Sequence, residues 1–291
     1  MTPNKSAVIL GLPESGKTTF LAALWHLITS REIPTILSFK KLEAGNAAHL
    51  NRIASRWRAG KEQDRTELDG NHIVTMNLLE AGGTQISVSF PDLAGESYRQ
   101  MWEERICRTD ILGHLKSPGV ILFIHADKIR PPQWVVDEAE LSRKLGLPVP
   151  AAGGEVPWHP RLAPTQVPLV DLLQMLQSPP LAIGSRRLAI VFSAWDKVRS
   201  ERLTPTEFLR VRLPLLNQYL KSESALWESR VYGVSAQGGD YEPVDKEGTV
   251  AVINPETEKL REIDKPSTRI HLWRDDDLGH DITSLVDWVI Q

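Results

Sequence analysis

Gly11-Leu12-Pro13-Glu14-Ser15-Gly16-Lys17-Thr18 is a complete match to G-x-x-x-x-G-K-[ST]. Gly11 and Gly16 permit backbone angles that side chains forbid, so the N–H groups of Glu14, Ser15, Gly16, Lys17, Thr18 and Thr19 can turn inward around a phosphate chain. At this spacing Lys17 is expected to reach the β- and γ-phosphates and the Thr18 hydroxyl to bind Mg²⁺. The chemistry is that of a nucleoside triphosphate site.

Such a loop works only between a buried strand and the positive end of a helix. The apolar run Ala7-Val8-Ile9-Leu10 precedes it, and 17–30 follows with Phe20, Leu21, Leu24, Trp25 and Ile28 at helical spacing. Further strand-length runs fall at 72–79, 85–90, 120–125, 188–193 and 230–234, with helical patterns at about 97–115, 168–178, 205–221 and 280–290. Strands alternating with helices predict an α/β fold with a mainly parallel sheet covered on both faces. Gly82-Gly83 in the short link between 72–79 and 85–90 predicts a hairpin, and so one antiparallel edge strand. The 291 residues are read as a single domain, 1–291, enlarged by insertions at about 31–70, 130–167 and 237–277. The first is polar and partly helical at 46–57. The second holds much of the proline and is expected to be mostly irregular chain. The third is expected to be a loop with a hairpin of 249–253 and 259–263.

A second motif, Phe90-Pro91-Asp92-Leu93-Ala94-Gly95-Glu96, closes a strand. An Asp there can hold the water shell of Mg²⁺, and a Gly three residues later can offer its N–H to a γ-phosphate. Two more strand ends carry polar groups in fixed order, Ser193-Ala194-Trp195-Asp196 and Ser235-Ala236-Gln237.

These four segments resemble, in order, the motifs of the translation-factor and Ras-like (TRAFAC) class of P-loop GTPases. That resemblance implies a three-layer P-loop NTPase fold, GTP or GDP with Mg²⁺ as ligands, and hydrolysis of the terminal phosphate. It implies that Asp196 accepts hydrogen bonds from N1 and N2 of guanine. Adenine has neither proton, so the carboxylate would be left unpaired against it. It implies also that Ser235 and Ala236 form the fifth motif, with the Ala236 N–H on the guanine O6. Within the class, G-x-P-x-S-G-K-T-T-F-L with a later D-L-A-G-E is similar to the bacterial GTPases of the double-GTPase type, for which a place in conflict or defence systems is implied. The second family motif is a single Thr that binds Mg²⁺ and secures the first switch, and Thr66 is chosen for it. Catalytic roles fall to Lys17, Thr66, Gly95 and Glu96, and metal binding to Thr18, Thr66 and Asp92. A protein partner acting through the switches is expected, a second GTPase or the other subunits of a homo- or hetero-oligomer.

Three residues depart from that pattern. Ala194 replaces a Lys whose stem covers the base, leaving Trp195 as a stacking surface or as core. Gln237 replaces another Lys. Glu96 stands where relatives carry a water-orienting Gln, and a carboxylate beside a γ-phosphate is repelled. Slow intrinsic hydrolysis is expected. Arg65, Arg99 and Arg105 are candidates for a charge-stabilising arginine. Arg52, Arg56, Arg58, Lys61 and Arg65 form a local basic stretch.

Composition excludes several other classes. A net charge of −3 gives no global field for nucleic acid. The one cysteine, Cys107, excludes an intramolecular disulfide, and none of the eight histidines joins it at zinc-ligand spacing. No apolar run approaches membrane-spanning length and neither terminus carries a lipidation or leader pattern, so a cytoplasmic protein is expected. His125 ends a strand on the γ-phosphate side, while His114, His271 and His280 stand isolated. The pattern Ile282, Leu285, Val286, Trp288, Val289 reads as a helix packed on the sheet, with Asp275-Asp276-Asp277 capping or preceding it. An ATP-dependent kinase or motor-type ATPase, and a nucleotide-binding scaffold with negligible turnover, remain open beside the GTPase reading.

Overall fold

Ala7 and Ile9 are buried on one face of the first strand, Val8 and Leu10 on the other. A strand covered on both sides reads as a continuous apolar run, not as alternation. In the computed structural model, residues 5–42, 46–63, 73–91, 101–107, 109–133, 135–149, 157–242 and 254–291 are described. Their strands are β1 (Ser6–Gly11), β2 (Ser38–Leu42), β3 (Ile73–Leu79), β4 (Gln85–Pro91), β5 (Gly119–His125), β6 (Arg186–Ser193), β7 (Trp227–Ser235), β8 (His271–Arg274) and β9 (Asp277–Gly279). They form one sheet in the order β2-β3-β4-β1-β5-β6-β7-β8-β9. The pairs β4-β1, β1-β5, β5-β6 and β6-β7 are parallel.

The helices are α1 (Lys17–Ser30), α2 (Asn46–Arg58), α3 (Thr109–Leu115), α4 (Val135–Lys144), α5 (Gln166–Leu176), α6 (Pro205–Arg212), α7 (Pro214–Ser222), α8 (Pro255–Arg261) and α9 (Thr283–Ile290). Phe20 and Leu24 of α1, Leu50 and Ile53 of α2, and Leu285 and Val289 of α9 join the core that holds Ala7 and Ile9. Ile111 of α3, Leu169 and Leu173 of α5, Phe208 of α6 and Leu216 of α7 join the core that holds Val8 and Leu10. The result is helix, sheet, helix, the three-layer α/β arrangement that the alternation of patterns predicts. Every parallel strand delivers its carboxyl end to one rim, where such sheets bind ligands.

The hairpin forms where expected: β3 runs antiparallel to β4, and Gly83 (φ +80) donates its N–H to the Glu80 carbonyl. β3 is not the outermost strand, because β2, unforeseen within 31–70, pairs antiparallel outside it. At the far end β8 runs against β7. Ser-Phe-Lys-Lys-Leu is too short and too charged to signal a strand; its partner β3 makes it one.

Other differences have local causes. Residues 254–261 cap and form α8, the Asn254 side chain accepting from the Glu256 N–H, so 259–263 is no hairpin strand; 249–253 lies outside the described residues. The stretch 130–167 contains α4, and its ends are joined: Arg130 N–H donates to Thr165 Oγ1 at 2.9 Å, and the Thr165 N–H to the Arg130 carbonyl at 3.0 Å. The single helix expected over 205–221 is two, since Pro214 forces Leu213 to φ −133°. Within 97–115, Arg105 at φ +58° interrupts the chain before α3. Asp275 makes the β8–β9 turn; it is Asp281 that caps α9, its Oδ1 accepting from the Thr283 N–H at 2.9 Å.

Candidate functional site

The loop from β1 to α1 is held open by its own glycines. A methyl group on Gly11 (φ +154) would lie 2.5 Å from the Phe123 carbonyl oxygen, and Gly16 has φ +84. The Lys17 ammonium turns back into the loop and donates to the carbonyls of Gly11 at 2.9 Å and Leu12 at 3.0 Å and to Ser15 Oγ at 3.2 Å. These are interactions an ammonium gives up readily to phosphate oxygens, which offer it opposite charge. Glu14, at φ +58, directs its carboxylate outward to Lys128 at 2.8 Å. Thr18 and Thr19 occupy the first turn of α1 beside Lys17.

The end of β6 is bonded to this loop. Ser193 Oγ donates to the Ser15 carbonyl at 2.8 Å, with both residues buried. Ala194 then takes a left-handed conformation (φ 50, ψ 41) and opens the 3-10 turn Trp195–Glu201 that carries Asp196 to the rim. Trp195 is core and not a stacking surface at the rim: it lies edge-on to Phe208 at 5.1 Å, and a methyl on Gly233 of β7 would strike its ring at 2.5 Å. Asp196 is half-buried, and Lys197 beside it pairs with Asp240 at 3.0 Å. The hydrogen bond from Lys197 to Asp240 raises the lysine pKa.

The end of β7 is held from the opposite side. Ser235 Oγ accepts from the Gly238 N–H at 3.3 Å, and the Ala236 carbonyl accepts from Trp57 Nε1 of α2 at 2.8 Å. Gln237, buried, donates its amide to the Trp57 carbonyl at 3.2 Å. The Arg269 guanidinium lies over the Trp57 ring and donates to the Trp57 and Leu260 carbonyls. Burial brings its pKa down to about 10, still charged at neutral pH.

The structure therefore brings Gly11, Glu14, Ser15, Gly16, Lys17, Thr18, Thr19, Asp196, Ser235 and Ala236 to one rim of the sheet. Thr66, Asp92, Gly95 and Glu96, with Arg65 and Arg99, lie outside the described residues. Arg105 is committed elsewhere: it pairs with Asp171 of α5 and lies over Trp102. Arg56 of the basic stretch donates to the Glu62 carbonyl at 2.9 Å. The histidines read as isolated have partners: His114 meets Ser89 Oγ at 2.9 Å, His280 the Ile270 carbonyl at 2.7 Å, and His271 stacks on Trp273. His125 sits 2.5 Å from Asp127, and burial lowers its pKa despite that carboxylate.

Sequence reasoning missed Tyr241, whose hydroxyl is 2.6 Å from Thr19 Oγ1. A lone tyrosine in a polar loop carries no periodic signal; only its place four residues after Gln237 could have drawn notice. Sequence reasoning missed also the role of Trp57 at the end of β7. Among the described residues no group of three or more His, Cys, Asp or Glu could hold a metal ion, and no helix is long and apolar enough to cross a membrane. Thr18 with Thr66 and Asp92 would be a set of hard oxygen donors, the kind Mg²⁺ takes together with phosphate and water oxygens.

The family model for Double-GTPase 1 matches residues 8–289. Among solved structures, two of the S. cerevisiae Ski7 GTPase-like domain match this chain. One, bound to GTP, has 13% identity over 86% of this chain at a TM-score of 0.41. The other, bound to GDP and inorganic phosphate, has 14% identity over 84% at the same score. This chain spans 46% of the length of each of those yeast chains. No curated protein matches.

Proposed function

The chain belongs to the Double-GTPase 1 family, and from that premise we propose that it is a Mg²⁺-dependent guanine nucleotide switch that hydrolyses GTP and acts through a protein partner. The observation that carries this is the Ser193 to Ser15 hydrogen bond, which fixes the segment bearing Asp196 against the phosphate cradle at 2.8 Å. A carboxylate tied to a triphosphate loop in this way fits a purine offering two N–H donors, which guanine does and adenine does not.

In this reading the backbone N–H groups of the cradle and the Lys17 ammonium stabilise negative charge that builds on the β–γ bridge as the bond to the γ-phosphate breaks. Thr18 and Thr66 would hold Mg²⁺ with Asp92 on its water shell, and the ion would neutralise charge on the β- and γ-oxygens. Gly95 would report the γ-phosphate. Its loss on hydrolysis would release the segments around Thr66 and Gly95 and change the surface offered to a partner, either a second GTPase or another copy of this chain. A carboxylate at Glu96 next to the γ-phosphate would keep unassisted turnover slow. A role in a bacterial conflict or defence system, in the cytoplasm, is the setting proposed with it.

Calorimetric titration with GDP, a GTP analogue, ADP and an ATP analogue, each with Mg²⁺, tests the base. Tight binding confined to the guanine pair supports the proposal; preference for the adenine pair overturns it. Single-turnover hydrolysis of GTP tests the chemistry. If guanine nucleotides bind and none is cleaved with or without candidate partners, the protein is a nucleotide-dependent scaffold.

A further inference from the structure

By the resemblance to GTPases, Ala194 and Gln237 stand where lysine stems would cover a base, and here Trp195 and the Gln237 amino group are both engaged elsewhere. Trp195 is turned into the core below β7, and the Gln237 amide is spent on the Trp57 carbonyl. A planar base with no apolar surface against it would be held by its edge alone.

The segment following Gln237 runs from the loop of Asp196 to the first turn of α1. Asp240 is paired with Lys197, next to Asp196, at 3.0 Å. Tyr241 comes next, with its hydroxyl 2.6 Å from Oγ1 of Thr19 on the first turn of α1. Glu242 then donates its N–H to the Gly60 carbonyl at 2.8 Å, and its carboxylate meets Arg261 at 2.5 Å. Tyr241 is thus pinned on both sides, between the loop of Asp196 and the first turn of the helix that follows the cradle. The side chain is half-buried, and desolvation of its phenol pushes the pKa up to about 12 although the hydrogen bond to Thr19 acts the other way. At any working pH it is a neutral hydroxyl on an aromatic face.

A nucleotide whose phosphates lie on 11–18 and whose base reaches Asp196 must place its sugar and base between those two ends, past Thr19. We propose that Tyr241 is a nucleoside-contacting residue: its ring is the apolar surface against the base and sugar, and its bond to Thr19 holds that ring in place. This deepens the guanine nucleotide reading and rests on it. It assigns a binding role to a residue lying outside the motif-like segments.

The test compares the full chain with Tyr241→Ala and Tyr241→Phe, titrated calorimetrically with Mg²⁺-GDP and, separately, with inorganic tripolyphosphate, which has no base or sugar. Loss of an aromatic face against a base weakens binding by about tenfold or more. Tyr241→Ala should lose that much affinity for GDP while binding tripolyphosphate as the unsubstituted chain does, which also shows that the cradle is folded. Tyr241→Phe, which keeps the ring but not its bond to Thr19, should lose less GDP affinity than Tyr241→Ala. Equal GDP affinity in the unsubstituted chain and Tyr241→Ala overturns the proposal. So does a parallel loss for both ligands, which would mean that Tyr241 acts only by supporting Thr19 and the helix start. If the unsubstituted chain binds tripolyphosphate but not GDP, the guanine reading itself has failed, and the role of Tyr241 falls with it.

Discussion

A methyl group placed on Gly16 would lie 2.8 Å from both Cβ and Oγ of Ser193, so the turn before α1 and the end of β6 are in contact with no room for a side chain. The same serine bonds the carbonyl of Ser15. One residue of β6 therefore both limits the cradle and positions it. Because Asp196 is only three residues on, the 11–18 loop and the segment that carries Asp196 are joined at a single junction.

Gly16→Ala should be destabilising twice over, by the left-handed φ of +84 and by the collision. The backbone contribution alone is about 1–2 kcal/mol. Ser193→Gly relieves the collision but leaves the Ser15 carbonyl short of a donor, at a cost of about 1–3 kcal/mol. The two substitutions together should cost less than the sum of each alone, a coupling that urea unfolding of all four proteins measures. Strict additivity would mean that the two residues do not meet.

Asp196→Asn should turn an acceptor pair into a group that also donates. Xanthine carries a carbonyl at C2 where guanine carries an amine, so preference should pass from GDP to XDP. Competition of both diphosphates against one labelled nucleotide reads this directly. Unchanged preference would place the base elsewhere.

The meeting of these segments at one rim was legible because its signals are local. The cradle announces itself in eight residues, and Asp196 and Ser235 each follow an apolar run that ends at the rim. The burial of Trp195 was not legible, since it depends on Gly233 of a different strand leaving space for the ring. Nor was β2, whose sequence becomes a strand only against β3. Pairing between Trp57 and Ala236 spans 179 residues, and no spacing rule encodes a contact of that kind. The outer sheet strands and the contacts of the long insertions are tertiary decisions, made by neighbours absent from any local window.

Acid should destabilise the fold before carboxylates titrate. His26, His125 and His271 all have pKa values lowered from 6.5, burial being the largest cause for each. Below 6.5 the unfolded chain binds protons that the folded chain refuses, so stability is full above that pH and falls progressively as the pH drops toward the lowered values. Thermal melts between pH 7.5 and 5.5 should show a declining Tm in about that window. The decline should be shallower in His125→Gln, which has no proton to take up.

Trp57 ties the helix preceding Thr66 to the strand end that carries Ala236. Its indole N–H donates to the Ala236 carbonyl, while its own carbonyl accepts from Gln237 and Arg269. Trp57→Phe keeps the ring beneath the Arg269 guanidinium but removes the indole donor, leaving a buried carbonyl unsatisfied at about 1–3 kcal/mol. If the tie serves packing alone, the whole cost appears as lower stability, and GDP affinity is unchanged once the protein is folded. If it holds the fifth-motif segment in its nucleotide-binding position, GDP affinity should fall while tripolyphosphate affinity does not. The second outcome is expected on the proposed role of Ala236 at the base, because the 11–18 loop stands on different residues. Parallel unfolding and titration measurements on Trp57→Phe separate the two.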